Sequence, residues 1–258
     1  MRQNPVKEKL KNGEIVFGTM VSDLRSPGIS QMLATAGFEL LVFDSEHSSF
    51  SIQTVADHIV AARAADIVSV VRVPNRKYDH LLSRPLDAGA QGLLVPNIHT
   101  VEETKNVIKH TKYYPEGQRG TAFKRIHSDF LPRSAAEIIK ESNQNVLIII
   151  QIESKQAVDQ IDQIVSVPGV DAAFIGPNDL SQSLGVPGLT NHPVVEEQIE
   201  KVIKACQEYH VTPGIHVHRW EDAKKWLNKG MRLLLYLSDI NMIMKAATEA
   251  MTELNKLI

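Results

Sequence analysis

The amino-acid sequence predicts a single (β/α)8 barrel, or TIM barrel, over residues 1–258. Three observations predict this fold. Eight short apolar segments alternate with segments of helical spacing, polar residues directly follow several of the apolar segments, and no composition break or low-complexity tract divides the chain. Such alternation is typical of parallel α/β folds, and barrels of this kind commonly have about 250 residues. We therefore expect one domain rather than an open, doubly wound sheet.

The predicted strands are short apolar runs, most of them rich in β-branched residues, as expected for strands buried on both faces. They cover residues 15–20, 39–43, 67–73, 92–95, 146–150, 172–175, 213–217 and 232–237. Pro74 and Pro96 directly follow the third and fourth strands. Proline ends a strand because it lacks the N–H that the next ladder bond would need.

Helical spacing of apolar residues predicts the connecting segments. After a Lys-rich helical start, helices are expected at residues 29–36, 51–65, up to 88, 133–142, 180–184, 193–209, up to 230 and 239–258. Glycines 37, 89 and 230 follow three of these helices, as is common at helix ends. The segment 112–132 has no regular periodicity, and its Arg, His, Gly and aromatic content predicts a functional loop.

Composition excludes several classes of protein. Hydrophobic residues make up 43% of the chain and charged residues 22%, which is ordinary for a globular protein. The net charge of −2, with both signs interspersed, argues against a nucleic-acid partner. The polar N-terminal stretch does not resemble a signal peptide, and no apolar run reaches the ~18 residues of a membrane span, so a cytoplasmic protein is expected. The single cysteine, Cys206, is expected to be a buried or half-buried thiol without a catalytic role.

Polar residues at the downstream ends of the predicted strands form the candidate active site. In parallel barrels these ends meet at one face, where the chemistry takes place. The residues collected there are Asp44, Glu46, His47, Arg72, Pro96, Gln151, Glu153 and Asp179. This collection predicts an enzyme.

Glu153 and Asp179 are the predicted metal ligands. Two carboxylates without a nearby His or Cys suit a hard cation such as Mg²⁺ or Mn²⁺, and they leave about four octahedral positions for water and substrate. An ion with open positions acts as a Lewis acid. In the alternative interpretation, Asp179 caps the helix at 180–184 and Glu153 begins a helix, where its charge suits the helix dipole. The two interpretations are compatible.

Arg72 and His47 are the predicted catalytic side chains. Arg72 lies in an apolar run, where an unpaired guanidinium would be costly, and its planar fork favours a carboxylate or an enolate. The alternative is an internal ion pair with Asp44 or Glu46. His47 follows Asp44 by three residues, so this carboxylate is expected to orient the imidazole as an acid/base dyad. The alternative for this stretch is a charged surface loop.

The remaining histidines divide into two groups. His216 and His218 flank the end of the seventh strand with alternate spacing, so both should point to the same side, towards the barrel or away from it. One of them is a candidate for contact with the substrate pocket, while His127, in the irregular segment, receives no role. The others lie on helix or loop patterns and are expected to be solvated: His58, His80, His99, His110, His192 and His210.

Six stretches resemble the HpcH/HpaI aldolases, in the order FDSEH, VRVP, GAQGLLVPNIHT, YYPEGQRG, IQIES and GVDAAFIGPNDLSQSLG. This family comprises class II, metal-dependent pyruvate aldolases, which include 2-dehydro-3-deoxyglucarate and 4-hydroxy-2-oxoheptanedioate aldolases. The resemblance covers nearly the whole chain, and its most specific part is the pair IQIE and IGPNDLSQSLG. It implies the same barrel that the periodicity predicts.

The resemblance also implies roles for individual residues. In these aldolases the residues that match Glu153 and Asp179 hold Mg²⁺, Mn²⁺ or Co²⁺, which chelates the 2-oxo acid. The arginine that matches Arg72 stabilises the pyruvate enolate, and the histidine that matches His47, oriented by Asp44, transfers protons. Contacts to the substrate are expected from Gln151, Gly176, Pro177 and Asn178.

The reaction that the resemblance implies is reversible cleavage of a 4-hydroxy-2-oxo acid into pyruvate and an aldehyde, through a metal-bound enolate. Alternatives are oxaloacetate decarboxylation, citrate-lyase-like cleavage, for which no extended basic CoA site stands out, and a barrel that binds a keto acid without turnover. Family members form hexamers from dimers that exchange the last helix, so residues 239–258 are expected to pack on a neighbouring subunit.

The chain departs from the family pattern at the aldehyde end of the predicted pocket. Met20 stands near a position where an aromatic residue is common. His216, His218, Trp220 and Tyr236 stand at the ends of strands seven and eight, where small residues are expected. The aldehyde therefore does not follow from the resemblance.

Overall fold

The computed structural model describes residues 2–258 and confirms the predicted barrel. Within that range, parallel strands pair in sequence order and close into a ring because the eighth pairs with the first. The strands are β1 Val16–Val21, β2 Leu40–Asp44, β3 Val68–Arg72, β4 Gly92–Val95, β5 Leu147–Ile152, β6 Ala172–Ile175, β7 Thr212–Val217 and β8 Leu233–Ser238. Each predicted strand is present: β4 and β6 have the predicted bounds, and the ends of the others differ by at most two residues.

The helices follow the strands in alternation. They are α1 Pro5–Lys11, α2 Ile29–Thr35, α3 Ile52–Ala64, α4 Asp79–Asp87, α5 Val101–Thr111, α6 Ala135–Asn145, α7 Lys155–Asp159, α8 Ile161–Val165, α9 Pro177–Ser183, α10 Pro193–Glu208, α11 Trp220–Asn228 and α12 Asp239–Leu254. The segment 112–132 is irregular except for a 3₁₀ turn at Ile126–Ser128. None of the helices in the described range is long and apolar enough to cross a membrane.

The helix expected at residues 133–142 begins later than predicted. Ser134 accepts the N–H of Glu137, and the Glu137 carboxylate accepts the N–H of Ser134, so the two residues form a capping box. This cap fixes the first helical residue as Ala135, because the capping residue itself is extended.

Two apolar layers hold the barrel together. Alternate strand residues point inward and fill the barrel, among them Met20, Leu94 and Phe174, while the other residues of each strand pack against the surrounding helices. Gly92 permits a close approach inside the ring, since a Cβ there would lie 2.5 Å from the Leu147 carbonyl oxygen. Cys206 lies in the outer layer, fully buried and free, as predicted.

One seam of the outer wall is poorly covered. Phe17 points outward from β1 and is 46% exposed, at the place where β1 meets β8. The helix after β8, α12, packs little on its own barrel, and its side chains from Ile243 onward are exposed.

The prediction that the helical and loop histidines are solvated is wrong for His58. Its side chain is fully buried, and its ring stacks on Phe43 at a centroid distance of 5.0 Å. Burial lowers the pKa of His58, so a neutral imidazole packs here as an aromatic residue. His99 is half-buried, with Nδ1 2.8 Å from the Ser154 hydroxyl. His127 is buried and does not line the mouth of the barrel.

Candidate active site

Arg72 and Asp44 form a bidentate ion pair at the mouth of the barrel. They are opposite each other in the β2–β3 register. Arg72 Nε donates to Asp44 Oδ1 at 2.8 Å, and Nη2 donates to Oδ2 at 2.6 Å. Burial opposes both charges, but the pairing lowers the pKa of Asp44 and raises the pKa of Arg72. Both groups therefore stay charged, and the guanidinium is held in one orientation.

The internal ion pair considered for Arg72 is present, and it extends to a second carboxylate. Arg72 Nη1 lies 3.3 Å from Glu46 Oε2. Pairing does not remove the arginine from the site, because its side chain keeps 13% of its surface exposed and lines the cavity at the mouth.

The prediction that Asp44 orients the His47 imidazole is wrong in this structure. Asp44 accepts the backbone N–H groups of Glu46 and His47, at 2.9 and 3.4 Å, and its carboxylate faces Arg72. The acid nearest the imidazole is Glu46, whose Oε2 is 3.7 Å from His47 Nε2. Asp44 therefore shapes the loop that carries His47, while the ring itself is largely exposed.

Asn97 joins two acidic residues of the site. Its N–H donates to Glu153 Oε1 at 2.6 Å, and its Nδ2 donates to Glu46 Oε1 at 2.9 Å. Asn97 has φ of 56°, a left-handed conformation that asparagine adopts more readily than most residues. Asn97 was not among the site residues predicted from the sequence; the available signal was an asparagine directly after the strand-ending Pro96.

Glu153 is buried in a polar but crowded position. Its second oxygen accepts the side-chain amide of Gln151. Burial raises the pKa of Glu153, and the nearby charge of Asp179 adds to this, despite the bonds from Asn97 and Gln151. Burial likewise raises the pKa of Glu46 to about 6, with a further contribution from Glu153. Negative charge is thus concentrated here beyond what Arg72 offsets.

Asp179 lies in the first turn of α9 and is exposed. It does not cap that helix: the N-cap residue is Gly176, and no side chain makes a capping hydrogen bond. Gly176 also brings the end of β6 against Glu153, because a Cβ at this position would lie 2.8 Å from Glu153 Oε2. The approach of the two acids thus depends on a residue without a side chain.

A cavity of about 210 Å³ gathers most of the predicted site. Its floor includes Met20, Leu94 and Phe174. The predicted site residues that line it are His47, Arg72, Gln151, Gly176, Pro177, Asn178 and Asp179. Asp44 and Glu153 are buried behind this lining.

His216 and His218 complete the cavity wall. Both point to the barrel mouth, with ring centroids 4.7 Å apart. His216 Nε2 is 3.0 Å from the Leu237 carbonyl oxygen, so this nitrogen carries the proton. Burial, together with the neighbouring His218, lowers the pKa of His216 to about 4. His216 is therefore neutral near pH 7.

The donor atoms fit a hard divalent cation. Glu153 and Asp179 supply carboxylate oxygens, and the buried Gln151 Oε1 has no hydrogen-bond partner among the described residues. Oxygen donors of this kind suit Mg²⁺ or Mn²⁺. No group of three or more His, Cys, Asp or Glu side chains in residues 2–258 could hold a metal. A six-coordinate cation held by these two carboxylates would keep positions for water and substrate oxygens.

Comparison with known proteins agrees with this geometry. The sequence profile of the family described as HpcH/HpaI aldolase/citrate lyase matches residues 19–244. The 5-keto-4-deoxy-D-glucarate aldolase of Shigella sonnei (strain Ss046) is 32% identical over 250 residues, covering 97% of this chain and 96% of the relative.

Solved structures give the same result. An HpcH/HpaI aldolase from Desulfitobacterium hafniense DCB-2 superposes with a TM-score of 0.93 at 32% identity, covering 98% of this chain and 97% of the other. The citrate synthase SbnG superposes with a TM-score of 0.87 at 28% identity, covering 97% of each chain. The resemblance read from the six sequence stretches is therefore confirmed, and the chain belongs to the HpcH/HpaI aldolase/citrate lyase family and is an enzyme of the aldolase class.

Proposed function

We propose that the protein is a divalent-metal-dependent aldolase that reversibly cleaves a 4-hydroxy-2-oxo acid into pyruvate and an aldehyde. The observation that carries the proposal is the single cavity at which Arg72, Gln151, Asp179 and His47 converge, with Glu153 directly behind it. A cation site, a fixed guanidinium and an exposed imidazole within one cavity are the groups that enolate chemistry requires.

Glu153 and Asp179 are the residues that would hold the cation. The raised pKa of Glu153 supports this, because burial and a neighbouring acid make its charge costly until a cation offsets it. When bound, a divalent cation supplies Lewis-acid polarisation of the 2-oxo group. Mg²⁺, Mn²⁺ and Co²⁺ are the candidates.

Arg72 would stabilise the negative charge that develops on the enolate oxygen. Its bonds to Asp44 fix the plane of the guanidinium before substrate binds, so little reorganisation is needed during the reaction. Gln151 and residues 176–178 would bind the 2-oxo acid beside it. This is a binding and positioning role.

His47 would remove the proton from the 4-hydroxyl group in the cleavage direction. Its exposed ring can reach a bound substrate, and Glu46 is the carboxylate close enough to orient it. Asp44 acts indirectly, through the His47 loop and the orientation of Arg72.

Proton exchange tests the proposal. Purified protein with Mn²⁺ should exchange the methyl protons of pyruvate in D₂O and release pyruvate from a panel of 4-hydroxy-2-oxo acids. Exchange is followed by NMR and pyruvate release by a coupled assay. A protein that performs neither reaction while it binds pyruvate in calorimetry would be a keto-acid-binding barrel instead.

The structural similarity to a citrate synthase supports a second candidate function, which is another enolate reaction in the same cavity. Oxaloacetate decarboxylation and citrate-type C–C bond chemistry belong to this class. Oxaloacetate and acetyl-CoA added to the same assays separate them: their turnover without cleavage of any 4-hydroxy-2-oxo acid would favour this candidate.

The protein is also proposed to assemble as a homo-oligomer, a hexamer formed from dimers that exchange α12. Support comes from the poorly covered seam at Phe17 and from an apolar stripe along α12. The stripe comprises Ile243, Met244, Met251 and Leu254, with exposed fractions of 44%, 57%, 53% and 55%. Such a stripe is usually buried against a partner.

A further inference from the structure

We propose that a second cavity, next to the catalytic mouth, binds the uncharged, hydroxylated carbon chain of the aldehyde half of the substrate. This inference rests on the proposed aldolase function and adds the substrate class. The second cavity has a volume of about 150 Å³ and lies between β7, α10 and α11, under the loop of residues 188–191.

The two cavities adjoin. Pro177, Asn178, His216 and His218 line both of them. A molecule held at Arg72 and Asp179 can therefore extend past the two imidazoles into the second cavity without leaving the protein surface. In a 4-hydroxy-2-oxo acid, the part that extends beyond the reacting carbons is the aldehyde half.

The lining of the second cavity suits a carbohydrate-like chain. Its deep wall is apolar and consists of Ile199, Ile215 and Trp226. Its rim carries Thr190, Asn191, His218 and Asp222, whose side chains make no hydrogen bond or ion pair with any other part of residues 2–258. The C–H groups of a hydroxylated chain would pack on the wall, and its hydroxyl groups would bond to the rim.

His216 stands where the two cavities meet and is prepared to accept a hydroxyl hydrogen. Its Nε2–H is used by the Leu237 carbonyl, so Nδ1 of the neutral ring is an acceptor. The lowered pKa of His216 agrees with this state.

The size and charge of the cavity narrow the substrate class. A volume of about 150 Å³ corresponds to roughly five water molecules, which suits a chain of about three or four hydroxylated carbons. Arg219 already pairs with Glu221 at 3.3 Å, and the negative charge of Asp222 acts on His218, so the rim carries no surplus positive charge. A chain that ends in a carboxylate is therefore disfavoured relative to a neutral one.

The experiment compares aldehydes as acceptors for pyruvate with Mn²⁺. Erythrose provides a neutral hydroxylated chain, butanal the same length without hydroxyls, succinic semialdehyde a chain with a carboxylate, and glycolaldehyde a chain too short to reach the second cavity. The wild type should have a kcat/KM for erythrose at least about tenfold above those for butanal and succinic semialdehyde, since two hydrogen bonds contribute that much.

A matched pair of variants localises the effect. Thr190→Trp fills the second cavity and should lower the erythrose to glycolaldehyde ratio of kcat/KM by about tenfold or more. Leu189→Trp places the same ring on the adjacent, 57% exposed position, which lines neither cavity, and should keep the wild-type ratio.

The outcomes distinguish a failure of the proposed aldehyde cavity from a failure of the proposed function. Wild-type protein that exchanges pyruvate protons but uses erythrose and butanal equally would refute the inference alone, as would an unchanged ratio in Thr190→Trp. A preference for succinic semialdehyde would overturn the neutral chain in favour of an acidic one. Protein that neither exchanges protons nor forms product would refute the proposed function, and the inference with it.

Discussion

Glu153 has hydrogen bonds to both carboxylate oxygens, but its negative charge is not fully offset by a positive one. Glu153 receives two hydrogen bonds, yet burial keeps its pKa raised, and the neighbouring Gln151 Oε1 is buried without a partner among the described residues. An acid whose hydrogen bonds are made but whose charge is not offset indicates that a cation is needed.

Glu153→Gln and Asp179→Asn should each abolish proton exchange from pyruvate, because each removes half of the proposed cation site. Mn²⁺ affinity, measured by calorimetry, should fall by at least about tenfold. Asp162→Asn, an exposed acid on α8, is the control and should behave as the wild type. Full exchange activity in either site variant would show that the cation lies elsewhere.

The buried Lys112 predicts how stability depends on pH. Burial, with a contribution from Lys7, lowers the pKa of Lys112 from 10.5 to about 8. Between these values the unfolded chain holds a proton that the folded protein has lost, so folding becomes more favourable as pH rises. Below about pH 8 Lys112 is protonated in both the folded and the unfolded state. The free-energy cost of burying its charged ammonium group is then present in full, on the order of 3 kcal/mol.

Lys112→Met removes this titration. The difference in unfolding free energy between wild type and variant, measured in urea, should change in favour of the wild type from pH 8 to pH 10.5 and stay constant from pH 6 to pH 7. Lys112 Nζ also donates to the carbonyl oxygens of Asn143 and Val146. The loss of these bonds shifts the difference in unfolding free energy between wild type and variant, but it does not produce the rise between pH 8 and pH 10.5. A difference that is flat across both ranges would contradict the prediction.

Site residues could be predicted from the sequence where one local rule determines their position. The strand-end rule placed Arg72, Gln151 and Asp179 at one cavity. The rule could not predict which carboxylate lies beside the His47 imidazole, because that depends on the geometry of the loop. The β2–β3 register places Asp44 opposite Arg72, so Glu46 is the acid that lies near the imidazole. Asn97 was missed because its role depends on a backbone conformation that composition does not reveal.

At the scale of elements, β4 and β5 depend on the absence of a side chain at Gly92. Gly92→Ala should destabilise the fold by at least roughly 2 kcal/mol, because the new methyl group would overlap the Leu147 carbonyl in the neighbouring strand. Denaturant unfolding measures the change. Gly120→Ala, whose Cβ would meet nothing within 4 Å, is the matched control. Equal stability of both variants would show that the β4–β5 spacing can relax.

The strands could be predicted almost completely, because burial on both faces leaves an unbroken apolar run in the sequence. Their ends were less predictable: β5 extends to Ile152, so Gln151 lies within the strand rather than after it. Short helices such as α7 and α8 were not resolved as separate elements, since five residues are too few to establish a helical period.

At the scale of the whole molecule, α12 carries the prediction about assembly. Its apolar stripe is opposed by a face with Lys245, Glu249 and Glu253. Ile243→Glu combined with Met251→Glu should dissociate the oligomer to smaller species in sedimentation experiments, because burying these charges would be costly. Ala246→Glu, off the stripe, should leave the mass unchanged. Wild-type protein that sediments as a monomer would contradict the proposed exchange.

The seam between β8 and β1 connects the proposed assembly with the proposed aldehyde cavity. Leu237, at the end of β8, has φ of 54°, and its carbonyl oxygen accepts from both His216 Nε2 and Thr19 Oγ1. The strand that binds His216, β8, is thus paired with β1, whose outward-facing Phe17 lacks cover within its own subunit. If the proposed oligomer forms, the ratio of kcat/KM for erythrose to that for glycolaldehyde should fall as the enzyme is diluted until it dissociates. A ratio that does not depend on protein concentration would contradict this link.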